Sequence, residues 1–268
     1  MERYVVVSFS GGKDSTAMLL RMIELGEHID EVVCCDTYKE FPAMYRHIDK
    51  AKAIAEAEGI KFTHLRNENS FDYYMFDHKR QRGKHIDKVG YGWPTSGARW
   101  CTAMLKRKII ERNNKQMSQG KKVVDCVGIA VDEQYRLERE ANKRQGVRLP
   151  LVEWGWTEKD CIEYCYSKGF DWEGLYKIFP RVSCWCCPLK SLEELRNLRK
   201  HFPDLWAELK DMDNRAWNQF RPDYSVADLE TRFAFEEERL QRGESITSRE
   251  FHAKLKERLA GENNVFSD

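Results

Sequence analysis

Tyr4-Val5-Val6-Val7-Ser8-Phe9-Ser10-Gly11-Gly12-Lys13-Asp14-Ser15-Thr16-Ala17-Met18-Leu19-Leu20 runs from an apolar stretch through two glycines, a lysine and an aspartate into a second apolar stretch. That order reads as strand, tight loop and helix, the layout of a phosphate-binding loop. A Walker A loop needs a glycine where Val7 stands and a Ser or Thr where Asp14 stands, and a dinucleotide fingerprint needs glycines where Lys13 and Thr16 stand. What remains is the pattern SGGxDS, a loop shaped to hold a pyrophosphate group.

Chemistry accounts for each letter. Gly11 and Gly12 let the backbone approach phosphate oxygens, and the amides that open the next helix face those oxygens with the positive end of the helix dipole. Lys13 neutralises charge, Ser10 and Ser15 supply hydroxyls, and Asp14 suits a magnesium ion held through water. Ser8, at the strand end, joins Ser10, Gly11, Gly12, Lys13, Asp14 and Ser15 as an expected nucleotide contact. A plain glycine turn with Ser10 capping the helix is the structural alternative, and six consecutive matching positions argue against it.

The remaining composition sets the frame. Of 268 residues, 33% are charged and 41% apolar, and no apolar run approaches the width of a bilayer, which excludes a helical membrane span. Met1-Glu2-Arg3-Tyr4 leads straight into a strand without the pattern of a secretory signal, so the expectation is a cytoplasmic chain without a membrane partner. Nine cysteines, an odd number in a chain of this length, suit thiol or metal chemistry better than a disulfide framework.

Short β-branched runs at Val5–Val7, Glu31–Cys35, Lys61–Leu65 and Val123–Ile129 alternate with helical patterns such as Met44, Ile48, Ala51 and Ala55. Alternation of this kind predicts an α/β fold, a doubly wound parallel sheet with ligands at the carboxyl ends of the strands. From Ser191 onward helical signals dominate, with Val226, Leu229, Phe233 and Leu240 along one stripe. The expected division is therefore a nucleotide-binding domain with a cysteine metal site over 1–190 and a helical domain over 191–268. The polar tail Gly261–Asp268 is expected to fray.

Four further segments follow the loop in order: Cys35-Asp36-Thr37-Tyr38-Lys39-Glu40-Phe41-Pro42, Arg99-Trp100-Cys101-Thr102 with Lys106, Gly128-Ile129-Ala130-Val131-Asp132-Glu133 with Arg136, and Cys184-Trp185-Cys186-Cys187-Pro188. Together they resemble the phosphoadenosine phosphosulfate reductase family within the adenine nucleotide alpha hydrolases, over about residues 1 to 190. The resemblance implies an adenine nucleotide across the strand ends, with Asp36, Thr37 and Gly128 beside it. It also implies that Asp132, Glu133 and Arg136 face the phosphates or a second substrate, and that Lys13, Asp14, Asp132 and Arg136 carry the chemistry. Each of these types also serves as a helix cap or a solvated charge.

The match departs from the family in two places. Its sulfonucleotide reductases work with a cysteine near the C-terminus, whereas the last cysteine here is Cys187. Many of them also lack the lysine of the loop, and Lys13 with Asp14 suits a triphosphate and a metal ion instead. Both departures favour ATP, with magnesium, cleaved between its alpha and beta phosphates.

Cys101, Cys184 and Cys187 resemble the iron–sulfur ligands of assimilatory adenylylsulfate reductases, with the fourth ligand absent unless Cys186 or an exogenous group takes its place. A three-thiolate cubane cluster leaves one iron open, as in the sulfur-inserting tRNA thiolases of the wider superfamily. The same spacing suits a structural zinc, because thiolates bind both. Cys34, Cys126, Cys161 and Cys165 sit in apolar patterns and read as core, and core packing is also the reading for Cys35.

Between Asp77 and Lys115 stand eleven Lys or Arg against three Asp or Glu, interleaved with Tyr91, Trp93 and Trp100. Cations with aromatic faces suit a nucleic-acid partner, tRNA or DNA, and a solvated basic loop fits equally well. The expected function is an ATP-dependent enzyme that adenylates a substrate and transfers sulfur to it, drawing on a sulfur-donor protein. The alternatives are a sulfonucleotide reductase, or a nucleotide-sensing subunit with a structural zinc.

Overall fold

The computed structural model describes residues 2–265. The chain divides into two compact units, Met1–Tyr73 with Arg99–Trp185, and Tyr74–Ala98 with Cys186–Asp268. The second unit thus takes in residues 74–98, which sequence reading leaves with the first.

In the first unit β1 (Arg3–Phe9), α1 (Lys13–Glu24), β2 (Glu31–Asp36), α2 (Pro42–Ala57) and β3 (Lys61–Arg66) alternate. A helix then opens at Trp100, passes through a π turn over Ala103–Arg107 and continues as α3 (Lys108–Met117). It is followed by β4 (Lys122–Val127), β5 (Val147–Arg148) and α4 (Glu158–Ser167). All five strands are parallel, in the order β3-β2-β1-β4-β5. This is the expected doubly wound parallel α/β sheet.

The strand sequences explain that sheet. Val6, Val7 and Val32 are fully buried, as parallel strands covered on both faces require. Pro42 starts α2, where its missing amide costs nothing, and Met44, Ile48, Ala51 and Ala55 form the buried face that their spacing predicts. β5 is only two residues long and carries no readable period, so it escapes sequence reading. The chain winds outward from β1 through β2 to β3, then returns to β1's other side at β4. The switch point therefore lies between the ends of β1 and β4, where such sheets hold ligands.

At that point Gly128 leaves β4 directly beneath the start of α1. A Cβ on Gly128 would lie 2.8 Å from the Ser15 amide nitrogen and 2.9 Å from its Cα, so helix and strand end meet with no room for a side chain.

The second unit is helical, with α5 (Leu192–His201), α6 (Pro203–Arg215), α7 (Val226–Gln241) and α8 (Arg249–Val265). Capping boxes at Ser191 with Glu194 and at Ser225 with Asp228 set the starts of α5 and α7. Val226, Leu229 and Phe233 are buried as expected, but Leu240 is 55% exposed. Near its end α7 turns Phe235 toward α8, stacked on Phe251, and Leu240 lies well round the helix from that contact. The tail expected to fray from Gly261 continues α8 to Val265, and residues 266–268 lie outside the described residues. Among the described residues no helix is long and apolar enough to cross a membrane.

Gly128→Ala should lower stability by about 1–3 kcal/mol, as overpacking does, because the added methyl meets backbone. Gly97→Ala, where a Cβ meets nothing within 4 Å, should change stability little. Thermal unfolding of both variants checks this.

Candidate nucleotide site

The loop between β1 and α1 is closed upon itself. Gly11 takes a φ of +77°, and a Cβ there would strike the Met44 sulfur at 2.8 Å. Ser15 Oγ accepts from the Ser10 amide at 3.2 Å, donates to the Gly12 carbonyl at 3.1 Å, and lies 3.1 Å from Ser10 Oγ. The two serines expected at the phosphates thus shape the loop. Gly12 is the N-cap of α1 and has no capping side chain, so Ser10 is not the cap of this helix.

Side chains from beyond α4 and from α2 brace the loop from outside. Trp172 Nε1 donates to the Gly11 carbonyl at 2.8 Å, and Tyr176 Oη accepts from the Lys13 amide at 2.8 Å. His47 stacks on Trp172 with centroids 4.4 Å apart and shares a 2.9 Å hydrogen bond with Thr16 Oγ1. Burial pushes the pKa of His47 down to about 3, so it is a neutral structural imidazole at physiological pH. The roles of Trp172, Tyr176 and His47 at the loop depend on long-range packing.

Charge gathers at the first turn of α1. Lys13 Nζ lies 3.3 Å from Asp14 Oδ1 and pairs with Glu158, the first residue of α4. Carboxylate oxygens of Asp14, Glu133 and Glu158 lie within 4.8 Å of one another, the one such group of three potential metal ligands among the described residues. Burial is the main reason the pKa of Asp14 rises to about 6; Lys13 opposes the shift, and Glu133 and Glu158 add to it. The Asp14 Oδ1 atom is buried and accepts no hydrogen bond. Hard oxygen donors in excess of local positive charge fit magnesium, which takes one or two carboxylates and completes its shell with water and phosphate. Glu158 escapes sequence reading, although Thr157 and Asp160 form a capping box that marks it as the first helical residue.

Other expected site residues have specific structural partners. Ser8 Oγ donates to Asp125 at 2.6 Å across the sheet. Asp132 accepts from the Glu158 amide at 3.0 Å and so fixes the start of α4. Glu133 accepts from the Ala130 amide at 3.2 Å and from Arg136 at 2.7 Å, so Arg136 is turned onto a carboxylate beside the loop. Asp36 is buried and accepts from the Tyr38 amide, the Tyr45 hydroxyl and Arg66. Thr37 donates to Glu40 at 2.8 Å and lies 3.2 Å from Cys184 Sγ.

Cys184 also donates to Glu40 at 3.3 Å. Burial opposes the charge of Lys106, but Cys184, Glu40, Cys35 and Cys34 outweigh it and push its pKa up to about 12. A lysine held cationic beside a thiol offsets thiolate charge, and soft sulfur donors fit iron–sulfur or zinc. Cys101 and Cys187 are half-buried, Cys186 is buried, and Cys34, Cys126, Cys161 and Cys165 are core as expected.

The basic segment divides differently. Arg80 donates to the Gly90 and Tyr91 carbonyls and lies over the rings of Tyr91 and Trp217. Trp93 is 2% exposed, donates to Asp213 and packs edge-on against Phe220. Tyr91 and Trp93 are therefore bound up in the second unit's own packing, and Trp100, in the first unit, packs on Phe71 at 4.9 Å. Arg82 and Lys84 are exposed.

A doubly wound parallel sheet with a glycine-rich loop, a lysine and carboxylates at its switch point defines an α/β protein with a candidate site at the strand ends. A family model, the phosphoadenosine phosphosulfate reductase domain, matches residues 4–190, and the chain belongs to that family. Two uncharacterized proteins of Methanocaldococcus jannaschii are 30% and 26% identical over 79% and 78% of this chain. The chain spans 42% and 47% of their lengths. Two solved structures are similar at 16% identity each. The phosphoadenylyl-sulfate reductase of Candida auris, in a phosphate complex, has a TM-score of 0.42 and covers 69% of this chain and 82% of its own. The U34-tRNA thiolase NcsA of Methanococcus maripaludis, with its [4Fe-4S] cluster, has a TM-score of 0.38 and covers 87% and 71%.

Because the folded pKa of Asp14 lies above its ordinary 3.8, its ionisation costs stability as pH rises from about 4 through about 6. Ligand-free Asp14→Asn should therefore be more stable than the parent at pH 7.5, by on the order of 2 kcal/mol, and nearly equal at pH 4. Denaturant unfolding at the two pH values measures the difference.

Proposed function

We propose that this protein is an ATP pyrophosphatase-type enzyme that adenylates a substrate and transfers sulfur to it. The observation that carries the reading is the pairing of Lys13 with Asp14 in the first turn of α1, behind an SGGxDS loop at the switch point. A substrate oxygen attacks the alpha phosphorus of ATP, the bond to the bridging oxygen breaks, and pyrophosphate leaves with the charge. Lys13 and the amides of the loop offset that charge, and Asp14 with Glu133 or Glu158 would hold magnesium, which would supply Lewis-acid stabilisation of it. Arg136, 2.7 Å from Glu133, would be released to a phosphate if magnesium took that carboxylate.

Cys101, Cys184 and Cys187 would supply three thiolates to an iron–sulfur cluster. Such a group would supply sulfide-level sulfur, whose bond to the adenylated carbon would form as the carbon–oxygen bond breaks and AMP leaves. Lys106 keeps its charge beside Cys184 and favours the thiolate that metal binding needs. The acceptor is a nucleic acid or a small molecule with a nucleophilic oxygen, and exposed Arg82 and Lys84 suit a polyanionic one.

Lys13→Ala should weaken ATP binding about 10- to 100-fold in calorimetry while changing AMP binding far less, since a charge-assisted contact contributes about 1.5–3 kcal/mol. Equal losses for both nucleotides would contradict the assignment of the loop to the terminal phosphates. Iron and acid-labile sulfide, measured on anaerobically prepared protein, should fall in Cys101→Ser, Cys184→Ser and Cys187→Ser and persist in Cys186→Ser. Loss confined to the Cys186 variant, or zinc in the parent, would contradict the cluster and leave the nucleotide site standing.

A further inference from the structure

The phenol of Tyr176 holds an unusual position. Its oxygen takes the hydrogen bond of the Lys13 amide, the first amide of α1, at 2.8 Å. In a loop of this kind that amide is a natural donor to phosphate. Tyr176 Oη also lies 3.5 Å from where a Cβ on Gly12 would stand, and Lys13 Nζ is 6.0 Å from its ring centroid. Two roles are open to a hydroxyl so placed: it competes with phosphate for the amide, or it relays the amide's hydrogen bond to phosphate.

Packing decides between them. Competition requires Tyr176 to withdraw, and the segment that carries it is pinned at several points. Trp172 donates to the Gly11 carbonyl at 2.8 Å and stacks on His47, and its ring meets that of Tyr176 edge-on at 4.8 Å. Glu173 takes both nitrogens of a two-point contact from Arg46, at 2.5 and 2.6 Å. Leu175 and Phe179 are buried, and Phe179 packs on Phe41 at 5.2 Å. Trp172 and Glu173 even adopt φ values of +50° and +52°, strained for residues with side chains, and such strain persists where the surroundings over-determine the backbone. A segment fixed this way is built to hold the hydroxyl in place.

The hydroxyl also keeps its proton. Burial is the main reason its pKa is raised; the Lys13 amide draws it down, and Asp14, Cys165 and Glu158 add to the rise. A phenol whose oxygen accepts from the positive end of a helix is polarised into a better donor.

We propose that Tyr176 is a phosphate-positioning residue, which accepts from the Lys13 amide and donates its own proton in a hydrogen bond to an oxygen of the pyrophosphate moiety. This rests on the proposed nucleotide site and extends it by one group from a segment outside the loop motif. The amide then acts on the phosphate through the phenol, and the ring sets how far the phosphate sits from the start of α1.

Calorimetric titration of the full chain with pyrophosphate, and separately with AMP, tests this in the parent, Tyr176→Phe and Trp172→Phe, each first checked for an unchanged unfolding temperature. Tyr176→Phe should weaken pyrophosphate binding at least 10-fold and leave AMP binding within about 2-fold, because only a hydrogen bond to a charged group is lost. Should Tyr176→Phe unfold early, Trp172→Phe provides the second arm: it frees the segment but keeps the hydroxyl, and it should weaken pyrophosphate by a smaller factor. Unchanged or tighter pyrophosphate binding in Tyr176→Phe, with the parent binding well, would overturn the relay and leave the loop assignment intact. No pyrophosphate binding by the parent would overturn both.

Discussion

At Gly128 the end of β4 meets the backbone of Ser15 so closely that a single methyl group could not be placed between them. That contact fixes where α1 begins relative to the sheet, and thereby where its first amides point. Gly11 makes a similar approach to Met44 of α2 from the other side. The loop is thus held between β4 and α2 by two positions without side chains, and everything chemical in the first unit is arranged around it. Residues far apart in sequence reach it from several elements: His47 from α2, Glu133 from the turn after β4, Glu158 from the start of α4, and Trp172 and Tyr176 beyond it.

The electrostatics follow from that geometry. One ammonium and the positive end of a helix dipole face three carboxylates in a partly dry site, and neither sign is fully satisfied. The proposed ATP ligand would resolve both: its phosphates would take the cationic donors, and its magnesium the carboxylates. The same logic separates the site from the cysteines, where Lys106 is the balancing cation and the donors are soft. Hard and soft donors are segregated on one fold, as the proposed adenylating and sulfur centres would require.

Sequence reading recovered the sheet and the loop because both are local. Strands buried on both faces announce themselves as β-branched runs, and SGGxDS is contiguous. What it missed is what depends on distance along the chain. β5 pairs over two residues only and leaves no pattern. Glu158 looks like an ordinary first-turn acid, and only packing of α4 on α1 puts it at Lys13. Ser8, Ser10 and Ser15 read by type, and Asp36 by resemblance, as ligand contacts, while their side chains bond to protein groups that shape the site. The basic segment was read by composition, and composition does not show that Arg80 and Trp93 are consumed by packing with Trp217, Asp213 and Phe220. Leu240 shows the same limit in a helix, where a correct period continues past the last partner.

The loop from Ser10 to Ser15 is proposed as the seat of a pyrophosphate group. Amide hydrogen exchange, read with and without magnesium pyrophosphate, tests this directly, because exchange reports local opening amide by amide. Magnesium pyrophosphate should slow exchange at Gly11 to Thr16, with a second zone at Ala130 to Glu133. Unchanged exchange at the loop, with protection confined to the helices of the second unit, would contradict it.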